Sequence, residues 1–120
     1  MSERKYDLED RLIDFSIRIS EVVEALPNTK YGNYIGNQLI RCGSSPALNN
    51  GEAQAAESKN DFIHKLKIIL KELRETRICL KIIIRKPLLK PERVESLLNE
   101  NNELIAIFLK SIETAKKHHS

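Results

Sequence analysis

Apolar positions recur along this chain with the period of a helical seam. Leu8, Leu12, Phe15, Ile19, Val22 and Leu26 alternate between spacings of four and three, which puts them on one helix face. The pattern predicts a first helix over residues 8–26, stopped by Pro27-Asn28-Thr29. Ile35, Leu39, Cys42, Pro46, Asn49, Ala53 and Ala56 repeat the spacing within residues 30–57. Pro46 removes a backbone donor and crowds the preceding turn. The apolar period keeps its phase across it, so the expected element is a kinked but continuous helix; two short helices are the alternative. Ser58 then offers an N-cap oxygen, with Asp61 three residues on. Ile63, Leu66, Leu70, Leu73, Arg77, Leu80 and Ile84 follow in phase, giving a third helix over residues 59–86 that ends by Pro87. A fourth, over residues 91–117, opens with Pro91 and Glu92, both suited to a first turn. Its face is Val94, Leu97, Leu98, Leu104, Ile105, Phe108 and Ile112, and it runs out in a polar tail with His118 and His119.

Four helices with short connections in 120 residues predict an all-α fold, an up-down-up-down antiparallel four-helix bundle forming one domain over residues 1–120. Only 4 Gly and 4 Pro leave little turn chemistry for an all-β fold. An apolar fraction of 41% argues against disorder. No apolar run approaches the ~18 residues of a membrane span. Glu3, Arg4, Lys5, Asp7, Glu9, Asp10 and Arg11 occupy the place of a secretory h-region. The expectation is a cytoplasmic protein with no membrane partner, whose two cysteines, Cys42 and Cys79, are small buried hydrophobes with free thiols.

The third segment carries more apolar surface than one seam needs. Phe62, Ile69 and Ile83 form a second stripe, widened by Ile68, Cys79 and Ile82. A bundle helix needs one apolar face of about 100°. The surplus fits either a helix at the centre of the bundle or, the reading favoured here, a subunit interface, since soluble monomers rarely expose such patches.

A polar line crosses the second helix at Arg41, Ser45, Asn49 and Glu52, and Arg77 interrupts the seam of the third, flanked by Glu72 and Glu75. Buried charge survives only when paired. The expected arrangement is a structural network in which Glu52, Asn49 or Glu72 satisfies Arg41 and Arg77. Glu52 and Glu72 as an acid–base pair is the alternative, but no nucleophile, metal cluster or phosphate-cradling glycine loop accompanies them. The expectation is therefore no enzyme, no cofactor and no metal.

The formal net charge of +3 hides an uneven distribution. Residues 59–90 hold ten basic and three acidic side chains, a net +7, whereas residues 7–26 are −4 and residues 91–115 are −3. Lys67, Lys71, Arg74, Lys81 and Arg85 share one helical face. Such a stripe suits a phosphate backbone, which rewards neutralisation by releasing counterions. The competing outcome is pairing with the acidic first and fourth helices. Aromatic residues make up only 5%, with none interleaved among the basic ones, which argues against stacking on single-stranded bases.

The run from Arg41 through Ser45-Pro46, Asn49 and Glu52-Ala53, then Asp61-Phe62-Ile63 and Leu70-Lys71-Glu72-Leu73, resembles a bacterial four-helix-bundle family. Its founding members are encoded in intervening sequences of 23S rRNA genes, and it is often labelled a ribosomal protein. Arg41, Ser45, Asn49, Glu52, Phe62 and Glu72 match its pattern of spaced polar residues before an aromatic-led third helix. The chain departs from it by placing Pro46 one position early and by Gly51-Glu52-Ala53 in place of Ala-Glu-Gly. The resemblance implies a homopentameric, barrel-like assembly and no known enzyme activity. A branch similar in fold, the accessory variability determinants of diversity-generating retroelements, binds nucleic acid and a reverse transcriptase. The leading expectation is a homo-oligomer that binds RNA or DNA through Lys67, Lys71, Arg74, Lys81 and Arg85. The alternative is a protein-interaction scaffold or an accessory subunit for a nucleic-acid enzyme such as a reverse transcriptase.

Overall fold

The computed structural model describes residues 5–118; Glu3, Arg4 and His119, weighed above, lie outside them. Its elements are α1 (Leu8–Ala25), α2 (Lys30–Gln54), α3 (Lys59–Arg85), a 3-10 turn at Pro91–Arg93, and α4 (Glu95–Lys117). There is no strand among the described residues. The fold is the expected all-α four-helix bundle, elongated and flattened, with extents of 50 × 37 × 19 Å.

Local chemistry sets the helix ends. Asp7 and Asp10 form a reciprocal capping box that opens α1, each carboxylate accepting from the other's backbone N–H. Thr29 caps α2 by accepting from the Gly32 N–H, and Ser58 caps α3 by accepting from Asp61 N–H. α2 continues unbroken through the buried Pro46, so the reading as two short helices does not hold. Two boundaries differ from expectation. α2 ends at Gln54 rather than near residue 57, because the Ala55 and Ala56 N–H groups turn back to the Glu52 and Ala53 carbonyls three residues earlier. Pro91 opens a 3-10 turn instead of α4, with Val94 N–H bonded to the Pro91 carbonyl; α4 starts four residues later.

Each helix packs on its neighbours in sequence, and the cross-helix bonds run antiparallel. Gly43 of α2 lies against Ile19 of α1, Arg41 of α2 reaches Glu72 and Glu75 of α3, and Asn101 of α4 donates to the Leu73 carbonyl of α3. α1 and α4 touch sparingly; Arg11 to Glu100 and Arg18 to Ser96 bridge them. Leu12, Phe15 and Ile19 meet Leu39, Leu66, Ile69, Leu73, Leu80, Ile83, Leu104 and Phe108 in one core.

The second apolar stripe of α3 is inside the single chain. Ile69 and Ile83 are fully buried, Cys79 is buried, Phe62 and Ile82 pack partly against the core, and Ile68 is half-buried. This corrects the subunit-interface reading of that stripe. α3 has α2 on one flank and α4 on the other, so it must bury a broader arc than a corner helix would. The exposed apolar side chains are elsewhere: Ile13 and Ile17 on α1, Ile40 and Leu48 on α2, Ile78 on α3 and Leu109 on α4. No described helix is long and apolar enough to cross a membrane.

The α1–α2 connection is tight enough to require glycine. A Cβ on Gly32 would sit 2.2 Å from the Pro27 carbonyl oxygen, a backbone atom that cannot rotate away. Gly51, further along α2, has nothing within 4 Å of the same position. Gly32→Ala should therefore cost about 1–3 kcal/mol by forcing the turn apart. Gly51→Ala should stabilise by roughly 0.5–1 kcal/mol through helix propensity alone. Urea unfolding midpoints of the two variants, moving in opposite directions, check this.

Candidate nucleic-acid interface

The outer face of α3 is built by subtraction. With α2 and α4 on its flanks, only one strip of its circumference faces water. At 100° per residue, Lys67, Lys71, Arg74, Lys81 and Arg85 fall within a sector of about 80° and extend along about 27 Å of helix. All five are exposed. None of them has a hydrogen bond or ion pair to another described residue. Ile78, half exposed, lies in the gap between Arg74 and Lys81.

No described carboxylate of the acidic helices pairs with this strip, and several are engaged elsewhere. Glu100 of α4 takes a two-point bond from Arg11 of α1, at 3.1 Å to Nε and 2.7 Å to Nη2, and Glu103 lies 3.7 Å from the same guanidinium. The Glu100 bond holds the Arg11 pKa above its ordinary value. Glu113 pairs with Lys117 one turn on, and Asp14 of α1 accepts from the Tyr6 hydroxyl at 2.7 Å. α1 lies diagonally across from α3, so its acids face away from the basic strip.

The polar line is divided among separate contacts. Arg41 bonds Glu75 at 3.0 Å and Glu72 at 3.4 Å, with Gln38 as a third partner, and so clamps α2 to α3. Glu72 is buried, and the guanidinium supplies the countercharge it needs. Ser45 and Asn49 bond each other at 2.7 Å, and Glu52 pairs with Lys65 at 3.0 Å, which raises the Lys65 pKa. Arg77 joins none of them. Its Nε is buried without a hydrogen-bond partner among the described residues, as is Oδ1 of Asn101. The expected Arg77 pairing with Glu52, Asn49 or Glu72 is thus not formed, because Arg77 lies on the α4 side of α3 and the Arg41 clamp lies on the α2 side. Glu52 and Glu72, the alternative acid–base pair, are held by different cations.

Cys42 and Cys79 are buried free thiols, and the Cys42 thiol donates to the Leu39 carbonyl at 3.8 Å. The neighbouring Cys42 sulfur and burial push the Cys79 thiol up, and Cys79 in turn lowers Cys42. Among the described residues there is no group of three or more His, Cys, Asp and Glu placed to hold a metal ion.

One feature escaped the sequence. Tyr31 and Tyr34, at the start of α2, stand with ring centroids 6.0 Å apart and planes tilted by 35°. The Lys86 ammonium lies 5.4 Å from the Tyr31 centroid. Aromatic and basic residues do interleave, but across the α2–α3 seam rather than along one segment. The only linear signal was the pair of tyrosines three apart at a helix start.

Residues 4–110 match the family described as 23S rRNA-intervening sequence protein. The chain belongs to that family. A solved structure from the S23 ribosomal protein family of Bacteroides thetaiotaomicron, described as a protein with unknown function, is 33% identical. The match covers 88% of this chain and 98% of that one, with a TM-score of 0.82. No curated protein matches the chain. Neither the intervening-sequence family's description nor that of the solved structure names an enzymatic activity.

The buried thiols give a direct check on this packing. Cys42 and Cys79 should resist alkylation by iodoacetamide in the native protein at pH 8 and react fully once it is unfolded in urea. Mass spectrometry counts the adducts, and rapid native labelling of either thiol would contradict the packed α2–α3 seam.

Proposed function

We propose that this intervening-sequence family member is a non-enzymatic, cytoplasmic homo-oligomer that binds the phosphate backbone of nucleic acid through the outer face of α3. The observation that carries the reading is the strip of five exposed cations, Lys67, Lys71, Arg74, Lys81 and Arg85, without ion-pair partners. A solvated strip of one sign raises the local concentration of a polyanion and gains from counterion release. Its regular spacing on a rigid helix favours recognition by charge and shape over base sequence.

Self-association rests on the outer faces of α1 and α2 rather than on α3. Ile13 and Ile17 stand one turn apart on α1, and Ile40 and Leu48 stand two turns apart on α2, with Leu48 74% exposed. α1 and α2 are packed neighbours, so these side chains stand on the exposed sides of two helices that border one seam. We read this seam as the contact between subunits, in the pentamer the family resemblance implies. A ring built through α1 and α2 leaves each α3 strip outward and multiplies weak single-strip binding.

Two measurements test the reading. Affinity for duplex DNA or structured RNA should fall steeply with salt. Changing Lys67, Lys71 and Lys81 together to Gln should reduce the log–log salt slope by about 0.9 per lysine removed on duplex. Absence of binding at low salt, or an unchanged slope, overturns it. Light scattering should show an oligomer for the native chain and a smaller species for the Ile17→Asp, Leu48→Asp double variant; a native monomer removes the assembly.

A further inference from the structure

The end of the bundle where α2 begins and α3 finishes carries a site that a charge-only reading does not need. Arg41 faces Glu72 and Glu75 across the antiparallel α2–α3 seam. Two turns back along α2 from Arg41 is Tyr34; two turns forward along α3 from Glu75 is Ile82, between Lys81 and Arg85. One turn further in each direction come Tyr31 and Lys86, and their cation–π contact confirms the register. The fold therefore sets two tyrosine rings against the last turns of the basic strip.

These rings are more open than packing requires. Tyr34 is 56% and Tyr31 39% exposed, and they touch each other at 6.0 Å instead of entering the core. A tilt of 35° at that distance leaves no room for a base between them. Tyr34 is the more open ring, with Tyr31 beside it and Lys86 against Tyr31. Lys86 borders Tyr31, Lys81 and Arg85 are exposed on the same last turns of α3, and Lys30 adds a fourth exposed cation at the start of α2. An aromatic face bordered by cations is the arrangement that holds an unpaired nucleobase while its phosphates are neutralised.

We propose that Tyr34, backed by Tyr31, is a stacking platform for an unpaired base of a single-stranded or frayed nucleic acid whose backbone lies on the α3 strip. The proposal rests on the phosphate-binding reading above and adds to it a preference for unpaired bases. It also revises the expectation from composition that stacking plays no part. A few tyrosines suffice when the fold collects them beside the charge.

The test compares three probes of equal charge: a short single-stranded DNA of mixed sequence, an abasic strand of the same length, and a duplex of matched phosphate number. The intact protein should bind the base-bearing strand on the order of tenfold more tightly than the abasic one. Tyr34→Ala should erase that difference without changing duplex affinity, and Tyr34→Phe should keep it, because stacking needs the ring and not the hydroxyl. The chain has 3 Tyr and no Trp. In a Tyr6→Phe background all tyrosine emission comes from Tyr31 and Tyr34, and it should be quenched by the base-bearing strand and not by the abasic strand. Equal affinity for the base-bearing and abasic strands, or a Tyr34→Ala loss that is the same on duplex, overturns the platform and leaves the basic strip standing. Failure of every probe to bind at low salt removes the strip, and the platform with it.

Discussion

The position of α3 between α2 and α4 is the constraint from which the rest of the molecule follows. A helix with packed neighbours on two flanks and the core beneath it has only a narrow strip left for water. Ile69, Ile83, Leu73 and Leu80 are drawn inward from more than one side, so the apolar surplus of this segment is absorbed within one chain. What remains outside from Lys67 onward is cationic apart from Ile78. Charge burial is costly, and the lysines and arginines of α3 accordingly crowd into the one direction that spares them desolvation. Segregation of charge is here a by-product of core formation, and it yields a surface with a function-like regularity.

The same topology separates opposite charges that composition alone would allow to cancel. α1 and α3 are diagonal partners in the bundle, so the acids of α1 cannot reach the basic strip. Between α1 and α4 the ions find each other, most closely at Arg11 and Glu100, where the pair is part-buried and bonded at two points. Between α2 and α3, Arg41 gathers Glu72 and Glu75. These contacts hold the bundle in register and withdraw carboxylates from the outer face of α3. A bundle of nearly neutral total charge thus keeps one strongly positive side.

Much of this was legible in the chain. The alternating spacing of Leu12, Phe15, Ile19 and Val22, or of Leu66, Leu70, Leu73 and Leu80, names core residues because a helix returns to the same direction every third or fourth residue. The cap at Ser58 was readable for a similar reason: an N-cap oxygen acts on a donor three residues away. The ends that differ, at Ala55 and at Pro91, depend on whether a terminal turn tightens to i−3 bonding, which periodicity does not report. Arg77 failed for a different reason. Its spacing within α3 is consistent with the Arg41 network, but the two residues lie on opposite flanks of α3, and only the placement of α2 and α4 shows it.

What the sequence determined by itself is everything carried by neighbours within about one helical turn: four helices, their buried faces, the caps, and the alignment of five cations along α3. Those features are fixed by local geometry, and local geometry is written in spacing. What the tertiary structure decided is which helix is central, hence whether an apolar stripe is core or interface, whether acids meet bases, and which distant side chains come together. The Tyr31, Tyr34 and Lys86 cluster belongs to that second kind. Its members are separated by most of α2 and α3, and it exists only because packing lays the start of one helix against the end of the other.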